Sequence, residues 1–362
     1  MNEKRNSLEG IRAIACIGVF LCHFRGAFLP NRVIGIIDYT PLKIMTAGNP
    51  MVRIMFVLSG YVISYKYFRN RKYDDVTIDI IKRWFRFFPG IFVANVIVYL
   101  LMKGGLLFNS EAAQLSGSSD FLGVFNQFTP NLLQAVREGL FTTYFNGANG
   151  YIGPLWTMKY EFLGSILILA AISVFKGSSL RILFYVVTLF FFNSYYNYLI
   201  IGMLICDIFF NADINLKLQK NQWINNSVCI IAVIVICMMK LDDMNKGTRI
   251  IYGIFLVIFF VTLLNSQFLE KVLGCKLMIK LGSLSFAIYI LHWPIIESFS
   301  SWYYVRGVVQ YEGLALLSNF IITCFIILFV AKLYTKYIIS LGMLHNDFWK
   351  REIANTYLIN DK

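Results

Sequence analysis

Apolar runs long enough to cross a bilayer recur from one end of this sequence to the other, and they constrain the fold more than any other feature. A membrane-spanning helix needs about 17–25 mostly apolar residues. Hydrophobic residues make up 58% of the chain and charged residues only 15%, against roughly 45–50% and 25% in soluble domains. The sequence therefore predicts an all-α, polytopic transmembrane helical bundle.

Breaks at glycine, proline and charge clusters divide these runs into about ten helices. The predicted spans are 8–29, 50–68, 87–103, 155–175, 180–193, 195–210, 223–239, 248–265, 279–299 and 313–338. We expect one membrane domain over 1–340 and a short cytoplasmic tail at 341–362. Segment 104–154 is a long polar connection with an amphipathic piece near Leu132–Phe145, and connections of that length often carry function.

The formal net charge of +13 would suggest a nucleic-acid partner in a soluble protein. Here the basic residues lie between the apolar runs, mostly in alternate connections, which favours an orientation signal and no nucleic-acid partner. The bias predicts that both termini are cytoplasmic. Seven cysteines lack paired spacing, so we expect neither a disulfide framework nor a metal site.

Arg12 and His23 are the first candidates for chemistry, because charges inside a span are costly and often mark a functional site. They are eleven residues apart, which places them on nearly the same face of a helix and about 16 Å apart along its axis. That spacing suits a ligand such as acyl-coenzyme A, with an anionic end at the cytoplasmic surface and a thioester deep in the membrane. The alternative is an interfacial anchor at Arg12 and an interhelical hydrogen bond at His23.

Arg83 and Arg86 lie three apart before Pro89 and share a helix face. Arginine binds phosphate well, so the pair is a candidate contact for the donor's phosphates. A plain positive-inside anchor is an equally good interpretation.

Glu161 follows Trp156 at the start of the span 155–175. A carboxylate at that depth could orient His23 and stabilise its protonated form while it acts as a base. A salt bridge with Lys159 or a neighbouring arginine is the alternative. We assign Trp156 to substrate binding.

His292 and Ser59 complete the candidate substrate contacts. His292 precedes Pro294, which breaks local helical bonding, so the histidine could either line the acceptor site or stabilise a kink. Ser59 adjoins Gly60, and this pair favours a small-residue helix contact over a nucleophilic serine.

Together these residues resemble the acyltransferase-3 group of bacterial membrane O-acyltransferases. The resemblance is carried by the motifs Leu8–Ala15 with His23, Phe56–Tyr61, Arg83–Arg86 with Pro89, Leu155–Glu161 and Leu281–Pro294. Departures from the usual pattern are Glu9 for aspartate, Arg53 for an acidic or small polar residue, and Lys159 beside Glu161.

The resemblance implies an acyl-coenzyme A donor, a cell-surface glycan as acceptor and a bacterial inner membrane location. It also implies importance for Arg12, His23, Arg83, Arg86 and Glu161. We therefore expect an O-acetyltransferase that uses acetyl-CoA as its donor and no metal. Its partners would be membrane lipid and a surface glycan or lipid-linked saccharide, and no oligomeric state is predicted.

Within this hypothesis His23 is a general base or a transient acyl carrier. The rival function is a transporter or flippase for a glycan or lipid-linked sugar, because intramembrane charges and a broken helix also suit a translocation path. A non-catalytic membrane partner of an assembly complex is a third interpretation.

Overall fold

The structure is a computed structural model that describes most of the chain. The described residues are 6–30, 40–71, 73, 76–191, 194–211, 221–239, 245–307 and 312–342. Within these ranges every regular element is a helix, and no strand occurs. The all-α prediction is confirmed.

The helices are numbered in chain order. They are α1 (Asn6–Phe28), α2 (Gly48–Asn70), α3 (Val76–Lys103), α4 (Asn109–Ser116), α5 (Leu132–Arg137), α6 (Thr143–Phe145), α7 (Thr157–Phe175), α8 (Leu180–Phe191), α9 (Tyr196–Asn211), α10 (Gln222–Met238), α11 (Lys246–Asn265), α12 (Gln267–Leu273), α13 (Lys276–Ile295), α14 (Ser301–Gly307) and α15 (Glu312–Tyr334). Single π-helical turns follow α5, α13 and α15, at Glu138–Thr142, Ile296–Ser300 and Thr335–Ile339. Short 3₁₀ turns lie at Pro41–Thr46 and Gly153–Trp156.

Six of the described segments are long and apolar enough to cross a membrane. They are Asn6–Phe28, Val76–Lys103, Gly153–Phe175, Lys246–Asn265, Lys276–Gly307 and Gly313–Gly342. Three shorter apolar helices lie at Leu180–Phe190, Tyr196–Phe210 and Gln222–Met238. Helix α2 is as long as these spans but more polar, because it carries Arg53, Lys66 and Arg69. The chain is a helical membrane protein.

All ten predicted spans contain a helix, and the bounds agree closely except in the third. Helix α3 begins at Val76, eleven residues before the predicted start at 87, and it continues through Pro89. Proline removes the backbone donor that would bond to the Phe85 carbonyl, yet the helix is continuous on both sides of Pro89. The prediction that a span begins beside this proline is therefore wrong. The predicted tail 341–362 lies outside the described residues from 343 onward.

The Cα positions divide the chain into two compact units. Unit 1 comprises Met1–Val19, Gly35–Asp79 and Leu163–Ser283, and unit 2 comprises Phe20–Ile34, Ile80–Phe162 and Leu284–Lys362. Helices α1, α3, α7 and α13 therefore contribute residues to both units. The single membrane domain over 1–340 stays a prediction.

Unit 1 is built around the contact between α2 and α9. A Cβ added to Gly60 would lie 1.9 Å from the Leu199 carbonyl oxygen, and one added to Gly202 would lie 2.0 Å from that of Val57. Only glycine permits two helix backbones to approach so closely. Helix α8 is bound to α9 by Arg181, whose Nε lies 2.5 Å from Asp207 Oδ2.

Unit 2 contains the end of α1, most of α3, the segment 104–154, the end of α13 and α15. The π-helical turn Ile296–Ser300 is bonded to α15, because Asn319 Nδ2 donates to the Ser300 carbonyl at 3.0 Å. The hydroxyls of Ser300 and Thr323 are 2.7 Å apart. The amphipathic piece predicted near Leu132–Phe145 is helical, with Leu133 76% exposed.

Candidate active site

Two of the three histidines in the chain meet in unit 2. His23 lies in the last turns of α1, and its Nδ1 is 2.7 Å from Nε2 of His292 in α13. The two rings are nearly parallel, with centroids 5.0 Å apart and an interplanar angle of 14°. His292 is buried, at 1% exposure, whereas His23 is half-buried. Of the two side chains, His23 therefore keeps the greater exposed fraction.

The backbone of α13 selects the tautomer of His292. Its Nδ1 lies 2.8 Å from the Tyr289 carbonyl oxygen and 3.2 Å from that of Ile288. A carbonyl accepts only, so Nδ1 carries the proton, and Nε2 of the neutral ring is an acceptor. His23 Nδ1–H then donates to it, and Nε2 of His23 keeps its lone pair, since none of the described residues donates to it. The pair thus presents one base nitrogen in a defined orientation.

Tyr289, one turn before His292, fixes α13 to the start of α7. Its hydroxyl donates to the Pro154 carbonyl at 2.5 Å, and the Thr157 hydroxyl lies 2.5 Å from the same phenolic oxygen. Pro154 belongs to the 3₁₀ turn Gly153–Trp156, which also carries Trp156. The turn that holds Trp156 is therefore attached to the helix that holds His292.

Aromatic rings enclose one side of the histidine pair. The Trp293 ring meets the His23 ring edge-on, with centroids 5.2 Å apart, and Phe121 lies 6.0 Å from His23. Phe125 packs on Trp293 at 4.9 Å. A Cβ on Gly26 would lie 2.7 Å from the Phe121 ring, so only glycine allows this ring to pack there. These rings exclude water from one side of the imidazoles.

A fully buried carboxylate, Glu297, connects the segment 104–154 to the end of α13. Its Oε1 accepts from Asn126 Nδ2 at 2.9 Å, and its backbone carbonyl accepts from Phe108 N at 2.9 Å. Asn126 has a φ of 57°, a left-handed conformation that asparagine adopts more readily than most residues. These bonds hold Phe121 and Phe125 over the histidine pair.

Within the segment 104–154 a second buried carboxylate, Glu138, organises the backbone. It accepts from Gly150 N and from Gln134 Nε2, both at 2.8 Å. The Tyr151 hydroxyl donates to the Asn131 carbonyl at 2.8 Å, and burial raises the pKa of this phenol. Asn131 also caps α5 by accepting from Gln134 N at 3.2 Å. The predicted long polar connection is thus an ordered part of the site.

Arg83 and Arg86 lie in the second and third turns of α3, also in unit 2. Arg83 is half-buried and Arg86 is exposed, with its guanidinium carbon 5.8 Å from the centre of the Phe87 ring. Between them, Trp84 donates from Nε1 to the Leu140 carbonyl at 3.1 Å and stacks on Phe88 at 4.5 Å. Trp84 therefore fixes the part of α3 that carries the two cations.

A sequence profile decides the family. The acyltransferase-3 profile, described as an acyltransferase domain, matches residues 5–335. The chain belongs to the acyltransferase-3 family. It is also similar to the acyltransferase MdmB of Streptomyces mycarofaciens, with 29% identity over 157 residues that cover 43% of this chain and 36% of that relative. No solved structure matches the chain.

In this acyltransferase-3 chain Arg12 belongs to unit 1, on the same helix as His23. Its Nη1 lies 2.8 Å from Oε2 of Glu9, one turn earlier. A Cβ on Gly282 would lie 2.2 Å from the Glu9 carbonyl oxygen, so α13 packs closely on this turn of α1. Arg12 is thus held by an acidic partner, and its role toward the donor stays a prediction.

The remaining predicted residues are partly accessible. Trp156 is half-buried, with its ring 5.9 Å from that of Tyr160, and Glu161 is half-buried in the first turns of α7. Among the described residues the hydrogen-bond partner of His23 is His292. Orientation of His23 by Glu161 stays a prediction.

Ser59 is half-buried on α2 in unit 1 and adjoins the Gly60 contact with α9. The close packing at Gly60 agrees with the small-residue contact expected from the sequence. A direct contact of Ser59 with substrate stays a prediction.

Two further observations limit what the described residues can bind. They hold no group of three or more His, Cys, Asp or Glu side chains that could coordinate a metal. Unit 1 contains a cavity of about 350 Å³, lined by apolar side chains that include Ile11, Met51, Ile54, Val233 and Leu273. The Cys229 thiol also lines this cavity, and none of the histidines or carboxylates described above does.

Sequence reasoning missed Glu297, Asn126, Phe121 and Phe125. A signal for Glu297 was present, since it is a carboxylate inside the predicted span 279–299, where charges usually mark function. The other three lie in a connection without helical periodicity, so no pattern pointed to them.

Proposed function

We propose that this chain is a membrane O-acetyltransferase that moves an acetyl group from cytoplasmic acetyl-CoA to a hydroxyl of a cell-surface saccharide. The proposal includes a bacterial inner membrane with both termini cytoplasmic. Membership of the acyltransferase-3 family supports the reaction class. The basic connections support the orientation.

The observation that carries the proposal is the His23–His292 pair. A base for acyl transfer needs an accessible nitrogen lone pair and a partner that keeps the ring in one tautomer. His23 is half-buried and has its Nδ1 occupied by His292, which is itself fixed by the Tyr289 carbonyl. The proposal therefore gives His292, predicted to contact the acceptor, a positioning role.

In the proposed reaction Nε2 of His23 takes the proton from the acceptor hydroxyl. The hydroxyl oxygen attacks the thioester carbon, the new C–O bond forms and the C–S bond breaks. The coenzyme A thiolate leaves and receives the proton from His23. The positive charge on His23 strengthens its bond to His292 while it lasts. Alternatively Nε2 carries the acetyl group transiently, and an acetyl-histidine trapped by mass spectrometry distinguishes the two routes.

The donor's phosphates would be held by the cations at the cytoplasmic surface. Arg83 and Arg86 supply planar, bidentate donors on one face of α3, and Arg86 is exposed. Arg12 would exchange or share its bond with Glu9 when a phosphate arrives. On the acceptor side we propose Trp156, Ser59 and Glu161 as contacts.

The test is mass spectrometry of the surface polysaccharide from three strains: wild type, one without the gene, and one with His23→Ala. We expect both defective strains to lose one acetyl-sized increment. General base catalysis supplies about 10²–10⁴-fold in rate, so His23→Ala should leave little modification. Cys22→Ala, at the neighbouring position of α1, is the matched control and should keep the wild-type acetyl content.

Full acetylation in the His23→Ala strain would sink the assignment of this histidine. An unchanged acyl pattern in the deletion strain, together with a changed amount or location of the glycan, would indicate a transporter instead.

A further inference from the structure

A second charged centre lies in unit 1, outside the proposed acetyl-transfer machinery. Arg53 is in the second turn of α2 and is 93% buried, since only 7% of its surface is exposed. A buried charge in a membrane protein is costly and therefore needs compensation or a function.

Three tyrosine rings surround the Arg53 guanidinium. Its central carbon lies 5.7 Å from the centre of the Tyr195 ring and 5.2 Å from those of Tyr198 and Tyr252. The face of an aromatic ring attracts a cation. It does not accept a conventional hydrogen bond from the N–H groups, which point outward in the plane of the guanidinium. We call these four residues the tyrosine cage.

Two donors of Arg53 are not satisfied by the part of the chain that the structure describes. Nε and Nη1 are buried and have no hydrogen-bond partner there. Among the described residues no carboxylate forms a salt bridge with Arg53. Buried guanidinium groups are normally bonded, so these donors require an acceptor that the described residues do not supply.

Another arginine of unit 1, Arg181, provides a comparison, because its donors are bonded to the protein. Arg181 bonds to Asp207 through Nε at 2.5 Å and through Nη2 at 3.2 Å. Its Nη1 donates to the carbonyls of Gly177 and Ser178. Each of the three nitrogens of Arg181 thus bonds to a protein acceptor, in contrast to Nε and Nη1 of Arg53.

We propose that the tyrosine cage is a binding subsite for an oxyanion carried by the acceptor, either a sugar carboxylate or a phosphate. The guanidinium fork matches the two oxygens of such a group, and the tyrosines provide apolar ring faces for the attached saccharide. The inference rests on the proposed function, because it names the class of acceptor: an acidic saccharide or a phosphate-linked one.

The test uses the purified full-length protein in nanodiscs, titrated with methyl glucuronide, inorganic phosphate or methyl glucoside, with tyrosine fluorescence as the readout. We expect a saturable change with at least one anion and none with the neutral glucoside. Arg53→Gln should weaken anion binding at least tenfold. The exposed Arg306→Gln is the control and should bind as the wild type does.

A response to methyl glucuronide alone supports a sugar carboxylate, and a response to phosphate alone supports a phosphate-linked acceptor. No response of the wild type to either anion, or equal binding by Arg53→Gln, would overturn the proposal. If Arg53→Gln is not recovered folded, Arg53→Lys replaces it in the test, because lysine keeps the charge but lacks the paired N–H donors of the guanidinium. Unchanged anion affinity of Arg53→Lys would also count against the proposal.

Failure of the subsite and failure of the proposed function are distinguishable. His23→Ala should bind the anion normally, because His23 is no part of the cage. Anion binding without acetyl transfer by the wild type would remove the proposed function alone. Acetyl transfer without anion binding would remove the subsite alone.

Discussion

The histidine pair of unit 2 and the tyrosine cage of unit 1 are both buried polar centres in an apolar chain, yet they differ in how their polar atoms are satisfied. Both ring nitrogens of His292 have partners, and Nδ1 of His23 has one. In the cage, Nε and Nη1 of Arg53 have none.

This difference separates two ways of using a buried polar group. A saturated network holds a reactive atom in one orientation before the substrate arrives. An unsaturated centre is costly on its own and becomes favourable only when a ligand supplies the missing acceptor. Under the two proposals, the histidine pair is of the first kind and the tyrosine cage of the second.

The contrast between the histidine pair and the tyrosine cage can be tested by substitution, and we expect the largest effect, on the transfer rate, at His292. His292→Phe keeps a ring but gives His23 Nδ1 no acceptor, so we expect the transfer rate to fall about 10–100-fold, or about 1.4–2.7 kcal/mol in barrier. His292→Gln offers an amide oxygen as acceptor and should recover part of the loss. Rates measured with radiolabelled acetyl-CoA in nanodiscs check this.

If the role of His292 is purely structural, a different result is expected. His292→Phe and His292→Gln would then both lose thermal stability in proportion to their loss of activity, and His292→Gln would be no faster than His292→Phe. That result would remove the positioning role.

A comparable effect, on stability instead of rate, is expected where the segment 104–154 is attached. Asn126→Gly keeps the left-handed backbone but removes the donor to the buried Glu297, so we expect a loss of about 1–3 kcal/mol in the free energy of unfolding. Thermal unfolding in detergent measures it. Exposed Gln127→Ala, at the next position, should change it by less than about 0.5 kcal/mol. Equal midpoints for Asn126→Gly and the wild type would contradict the anchoring role.

The smallest effect is expected at the cage without ligand. Arg53→Met removes a buried charge that has no acceptor, and replacement of buried charges by apolar residues is often neutral or stabilising. We expect a change within about 1 kcal/mol, because lost attraction to the rings offsets the relief of desolvation. A loss of several kcal/mol in the same unfolding assay would show that Arg53 is a structural centre like Arg181, and the comparison would fail.

The sequence was a good guide to the helices, because a membrane makes apolar length nearly decisive. The exception is α3, where Pro89 was interpreted as a boundary but lies inside a helix. Arg12 and His23 could be paired from spacing alone, since they share one helix.

The partner of His23 could not be predicted in the same way. His292 is 269 residues away, and no local pattern connects residues at that separation. Arg53 stood out in the sequence only as a departure from the usual family pattern. Its cage is formed by tyrosines from α9, α11 and the turn before α9, so it depends on packing that periodicity does not encode.

The bond between Asn126 and Glu297 spans 171 residues, and the one between His23 and His292 spans 269. Ribosomes extend a chain from its N-terminus at about 5–20 residues per second. The first helix and the segment 104–154 therefore emerge many seconds before α13 and the π-helical turn after it, which complete the two contacts. During biosynthesis the His23 imidazole and the Asn126 amide both wait for partners that the ribosome has not yet made.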